Sequence, residues 1–145
     1  MIDKATGAIV FKDFSGGPAL QRAAFLASEA GMRAKTLERE GRRHAYLLDV
    51  HERRGQRFEL LLEFTGPRLA RCSLTVGEER FASVPDILSA YIAFDAGWLR
   101  KRCGMRGDGG AFAWGTVERW LDYKNGYHAI AVRYKAGGKP VRVKR

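Results

Sequence analysis

Residues 56–64, Gln56-Arg57-Phe58-Glu59-Leu60-Leu61-Leu62-Glu63-Phe64, decide the fold class. Phe58, Leu60, Leu62 and Phe64 fall on one side, and Glu59, Leu61 and Glu63 on the other. Successive side chains of an extended chain point to opposite faces, so this alternation marks a strand with one face on a core. Upstream, residues 43–50 read as a second clear strand, joined to the first by His51-Glu52-Arg53-Arg54-Gly55, a connection of hairpin length. Downstream, Gly66-Pro67 breaks the chain, and residues 69–76 place Ala70, Cys72, Leu74 and Val76 on one face. With residues 33–39 as a weaker neighbour, these short consecutive strands read as an antiparallel meander.

Helices lie on either side of this centre. Residues 7–12 read as a short first strand, followed by the loop Phe14-Ser15-Gly16-Gly17-Pro18 and a helix through Leu20, Ala23, Ala24 and Ala27 that stops at Gly31. Ser83-Val84-Pro85-Asp86 starts a second helix, with a serine cap, a proline in the first turn and an acid three positions after the serine. Ile87, Leu88, Tyr91, Asp95, Trp98 and Leu99 then recur at helical spacing, with Asp95 breaking the apolar face. Arg100-Lys101-Arg102 suits the negative helix end, and Gly104 is the stop. Residues 111–121 alternate again, with Phe112, Trp114, Thr116, Glu118 and Trp120 on one side. Asn125-Gly126 suits a type I′ turn, and residues 127–134 return with Ile130, Val132 and Tyr134. The expected architecture is α+β: an antiparallel meander of about six or seven strands packed with two α-helices. It forms a single domain over residues 1–135, followed by a basic C-terminal tail, 136–145.

The chain has 145 residues, 46% of them hydrophobic and 29% charged, which suits one globular domain. No run approaches the roughly 20 apolar residues of a membrane span. The first residues lack a basic segment followed by an apolar one, so a cytoplasmic protein is expected, with no membrane partner. Cys72 and Cys103 are too few for a disulfide framework and are expected as reduced thiols, Cys72 buried. Lys and Arg number 26 against 16 Asp and Glu, a net charge of +10, and the segment from Tyr123 onward has seven basic residues and no acidic one. Such a field steers anionic partners: nucleic acid, an acidic protein or an anionic membrane face.

Motifs for catalysis or metal binding are not visible. His44, His51 and His128 stand too far from one another and from cysteine for a local metal site, and are expected as surface or edge-strand residues. No Gly-x-Ser-x-Gly elbow frames a nucleophile. Glu59 and Glu63 on one strand would sit about 13 Å apart, too far for a carboxylate pair acting on one bond. Gly104-Met105-Arg106-Gly107-Asp108-Gly109-Gly110 leaves a helix and enters a strand, the reverse of a phosphate cradle, and reads as a connector. No cofactor is expected. Trp98 is expected in the core. Trp114 and Trp120 would be core if their strand face packs on the helix, and recognition residues if it faces out.

The C-terminal half carries a further pattern. Trp98-Leu99 ends a helix, a glycine follows, then Phe112-Ala113-Trp114-Gly115, then Asp122 and Gly126 around a hairpin, then Ile130-x-Val132-x-Tyr134. Over about residues 95–134 this resembles a group of small stand-alone bacterial proteins similar to the immunity proteins encoded beside polymorphic or contact-delivered toxins. Where the pattern has His-Asp just before the tryptophan, this chain reads Phe94-Asp95-Ala96-Gly97, a departure. The resemblance implies binding without catalysis: a rigid module that plugs or distorts a toxin's active site. A basic inhibitor implies an acidic protein partner. The expected partner-binding residues are Arg100, Lys101, Arg102 and Arg106 around the end of the second helix, Arg53 and Arg54 in the hairpin loop, and Tyr123. The alternative is a nucleic-acid-binding domain that uses the basic tail and the Arg100–Arg106 patch.

Overall fold

The computed structural model describes residues 1–135, except 82, 84, 85, 123, 125 and 126 and the side chains of 38 and 39. Val84-Pro85, Tyr123, Asn125-Gly126 and the tail 136–145 therefore lie outside the described residues. In chain order the elements are β1 (Ile9–Val10), β2 (Ser15–Gly16), α1 (Arg22–Ala27), α2 (Glu29–Arg33), β3 (Lys35–Glu40), β4 (Arg43–His51), β5 (Arg57–Thr65) and β6 (Arg68–Val76). A 3-10 turn, Glu78–Phe81, leads to α3 (Ile87–Cys103), β7 (Gly109–Phe112), β8 (Gly115–Asp122) and β9 (Tyr127–Tyr134). This is the α+β architecture expected from the alternation of β5.

The main sheet has seven antiparallel strands in the order β3-β4-β5-β6-β9-β8-β7. It is two meanders rather than one. After β6 the chain leaves through α3 and enters the far edge at β7, then returns so that β9 pairs with β6. Phe58, Leu60, Leu62 and Phe64 of β5 are at most 1% exposed and sit on the same face as Tyr46, Leu48 and Val50 of β4 and Cys72, Leu74 and Val76 of β6. In β6, Leu69 takes the core place expected for Ala70. The register shifts between Glu63 and Phe64, so Phe64 pairs with Leu69 while Glu63 pairs with Arg71, and Ala70 is the extra residue of a bulge.

The expected first strand shrinks to Ile9–Val10, because the Phe11 N–H bonds the Phe14 carbonyl and the chain doubles back to bury both rings. The expected first helix comes as two short ones. Ser28 divides them, its hydroxyl donating to the Phe25 carbonyl and accepting from the Gly31 N–H. Gly31 does not end a helix; it lies inside α2, where a Cβ would stand 1.9 Å from the Phe25 carbonyl oxygen. The expected alternation over 111–121 breaks at Ala113-Trp114. There Trp114 folds back, stacks on Phe112 at 5.1 Å and donates its indole N–H to the Lys4 carbonyl at 2.9 Å.

α3 packs on the inner face through Tyr91, Asp95, Trp98, Leu99 and Cys103. Its cap is Asp86, not Ser83: the carboxylate accepts the Ser89 N–H at 3.2 Å and the Ser89 hydroxyl at 2.8 Å. Gly104 ends it in the left-handed conformation, φ 65°, its N–H bonding the Leu99 carbonyl. Trp98 is 5% exposed, as expected of a core residue, with Phe58 at 5.1 Å and Phe11 at 6.2 Å. Among the described residues, no helix is long and apolar enough to cross a membrane.

Candidate partner-binding groove

The Trp98 ring anchors more than the core. Its indole N–H donates to Glu52 Oε2 at 2.9 Å, and Arg102 Nε donates to the same oxygen at 3.2 Å. Glu52 opens the β4–β5 turn, so this carboxylate ties the turn to the last turns of α3. Between them runs a groove of about 640 Å³, lined by Glu52, Arg54 and Gln56 on one side and Phe94, Gly97, Trp98, Lys101 and Arg102 on the other. Arg80, from the 3-10 turn, lines it as well. Its guanidinium lies 5.0 Å from the Phe94 ring centroid and donates to Gln56 Oε1 at 3.0 Å. Among the described residues four cations thus line the groove with one carboxylate, and that carboxylate is already bonded to Arg102. Arg54 and Lys101 have no hydrogen bond or ion pair among the described residues, so their charge is available to a ligand. A hollow of about 450 Å³ adjoins the groove across Glu52 and Arg102 and is lined also by Arg53 and Lys12.

The expected binding residues divide accordingly. Arg54, Lys101 and Arg102 share the groove, and Arg53 lies in the adjoining hollow. Arg100 and Arg106 do not join them. The Arg100 guanidinium lies over Gly107, and Arg106 pairs with Asp108 at 3.2 Å. Tyr123 lies outside the described residues. Sequence reading missed Arg80, Glu52 and Gly97. An acid opening the five-residue hairpin loop was the available sign for Glu52; nothing local marked Arg80.

One histidine is not the surface or edge-strand residue expected, while His51 keeps to that expectation. His128 is 3% exposed; its ring stacks on Tyr91 at 3.8 Å and bonds Asp95 at 2.9 Å. Burial pushes the Asp95 carboxyl above its ordinary range, and the His128 hydrogen bond and the Arg119 charge only partly offset it. His128 Nε2 and Asp95 Oδ1 have no hydrogen-bond partner among the described residues. This pair does not line the groove, and both side chains are buried. His51, 41% exposed, bonds Asp13 at 2.9 Å. Among the described residues no three His, Cys, Asp or Glu converge on a point where a metal could sit. The thiols of Cys72 and Cys103 are both buried, and burial raises both their pKa values, which suits inert reduced cysteines. Trp120 is 45% exposed and meets Tyr127 edge-on at 5.0 Å, so it faces out, whereas Trp114 is half-buried against Tyr134.

No family model and no curated protein matches this chain. Among solved structures, a chain of a complex described as "Rhs1-CT in complex with cognate immunity protein RhsI1" is similar in fold. The TM-score is 0.63 at 12% sequence identity, covering 93% of this chain and 86% of that one. A likeness at that identity is one of fold.

Proposed function

We propose that the protein is a non-enzymatic, immunity-type inhibitor that neutralises a bacterial toxin by binding an acidic surface at or near its active site. The observation that carries this reading is the cationic groove between the β4–β5 turn and α3, where Arg54 and Lys101 have no partner among the described residues and the frame is held by the Trp98–Glu52 bond. Recognition by a preformed surface suits binding without catalysis, because little ordering entropy is lost when the partner docks. The shared fold with a chain of the Rhs1-CT–RhsI1 complex adds support, since that complex joins a protein to its cognate immunity protein. Arg53, Arg54, Lys101 and Arg102 would provide the contacts, with Arg80 added to them. Arg100 and Arg106 would extend the positive field around the end of α3 and so speed encounter with an acidic partner. The charge argues against a strongly basic nuclease as the target.

The test is co-expression with toxin domains cloned from the protein's own genome. Restored growth, and a stoichiometric complex that survives nuclease treatment, are the expected results. Undiminished toxicity with no complex would overturn the reading. A heterogeneous nucleic-acid load that leaves at high salt would favour the nucleic-acid alternative instead.

A further inference from the structure

Nothing among the described residues requires glycine at Gly97. It stands in the interior of α3, where glycine is a poor helix former. A Cβ built there would meet nothing within 4 Å. Gly31 shows the contrast, since there the Phe25 carbonyl forbids a side chain. Ala93, Gly97 and Lys101 are spaced four apart, share one face of α3, and all line the groove. The groove also has unpaired cations on both walls, Arg54 and Lys101, and an apolar edge made by Phe94.

From the bare helix face at Gly97 between these two cations, we infer that the groove takes an acidic segment of a protein partner, with its backbone laid against Gly97 and its carboxylates on Arg54 and Lys101. The inference rests on the inhibitor reading for the partner's being a protein. Two features favour a peptide over nucleic acid. The Glu52 carboxylate stands in the wall, where it repels a continuous phosphate backbone but can be spanned by a chain whose acids are spaced. Trp98, 5% exposed, offers no open face for stacking a base. The groove is of ordinary ligand-site volume and admits a short stretch of chain.

The probe is a blocked acidic peptide, Asp-Glu-Leu-Asp-Glu-Leu, titrated into the isotopically labelled full chain. Its lysine-for-acid counterpart and a single-stranded oligothymidylate serve as comparisons. The Gly97 amide and the Trp98 indole N–H should shift with the acidic peptide and not with the lysine one. Gly97→Leu, whose Cβ meets open space and whose side chain starts from the groove wall, should fold as well as the parent and weaken peptide binding at least about tenfold, by filling the groove. Arg54→Glu should weaken it without touching the helix. Shifts confined to residues outside the groove, or unchanged affinity in Gly97→Leu, would overturn the inference, as would oligothymidylate displacing the peptide from Gly97. Failure here is distinguishable from failure of the inhibitor reading. A Gly97→Leu protein that binds no less peptide, in a chain that still protects cells, removes only the groove's role. Peptide held at Gly97 by a chain that protects against nothing removes only the inhibitor.

Discussion

At the scale of single residues, the buried polar contacts explain what composition could not. Asp95 interrupts the apolar face of α3, and the structure supplies the reason: it bonds His128 on β9 across the helix–sheet interface. Neither residue announced the other, because they stand 33 positions apart and each alone looks like a solvated side chain. Asp13 and His51 form a second, shallower pair, with the Asp13 carboxylate accepting both the ring Nδ1–H at 2.9 Å and the His51 backbone N–H at 2.8 Å. Partial burial pulls the Asp13 carboxyl upward, but the His51 hydrogen bonds together outweigh it and hold it below the ordinary 3.8. A depressed carboxylate stabilises the fold above its unfolded pKa, and that contribution is lost as pH falls through the folded value. Asp13→Asn should therefore cost about 1 kcal/mol at neutral pH, and the cost should vanish on acidification below the ordinary carboxylate range. Urea midpoints of both proteins across that range are the measurement. A gap that persists in strong acid would mean the cost comes from shape and not from charge.

At the scale of elements, α3 has one good terminus and one weak interior position. The Asp86 cap serves two donors of Ser89, and Asp86→Ala should destabilise the protein by about 1 kcal/mol. Gly97→Ala should raise stability by about 1 kcal/mol, or about 3 °C in Tm, since the added methyl meets open space. Thermal melts of the two variants should move in opposite directions; a Gly97→Ala protein that melts earlier would reveal a contact at that position. The same helix shows what could be read from sequence and what could not. Its apolar spacing, its basic last turn and Gly104 were plain, because each is local. The β4–β5–β6 meander was plain too, since strict alternation and tight connections specify neighbours. Three features were hidden. The bulge at Ala70 moves Leu69 into the core through a pairing register that no single strand declares. The turn at Ala113-Trp114 depends on Trp114 reaching back to Lys4, 110 positions away. The placing of β9 beside β6 is set by where α3 leads the chain.

At the scale of the whole molecule, the net charge of +10 gives a field that would favour an anionic partner, but does not say where one would dock. The run Arg100-Lys101-Arg102 and the pair Arg53-Arg54 were visible as cationic clusters; that Lys101, Arg102 and Arg54 share one groove, and that Arg100 does not, follows from the phase of the helix against the hairpin. Glu52 joins the two by holding Trp98 and Arg102, which turns separate clusters into one surface. Long-range charge should govern the approach to an acidic partner and short-range contact its retention. Arg54→Glu with Lys101→Glu reverses two groove charges that have no partner among the described residues and should slow association with the proposed acidic partner about tenfold at low ionic strength. Arg106→Glu should have a smaller effect, because Arg106 is already paired with Asp108 and lies outside the groove. Near 0.1 M salt the screening length is about 10 Å, so raising salt further should narrow the gap in association rate between parent and double variant. Any difference in dissociation, which reflects contact inside the groove, should remain. Stopped-flow association and dissociation at two ionic strengths separate these contributions. Equal association rates for parent and double variant at low salt would move the encounter surface away from this end of α3.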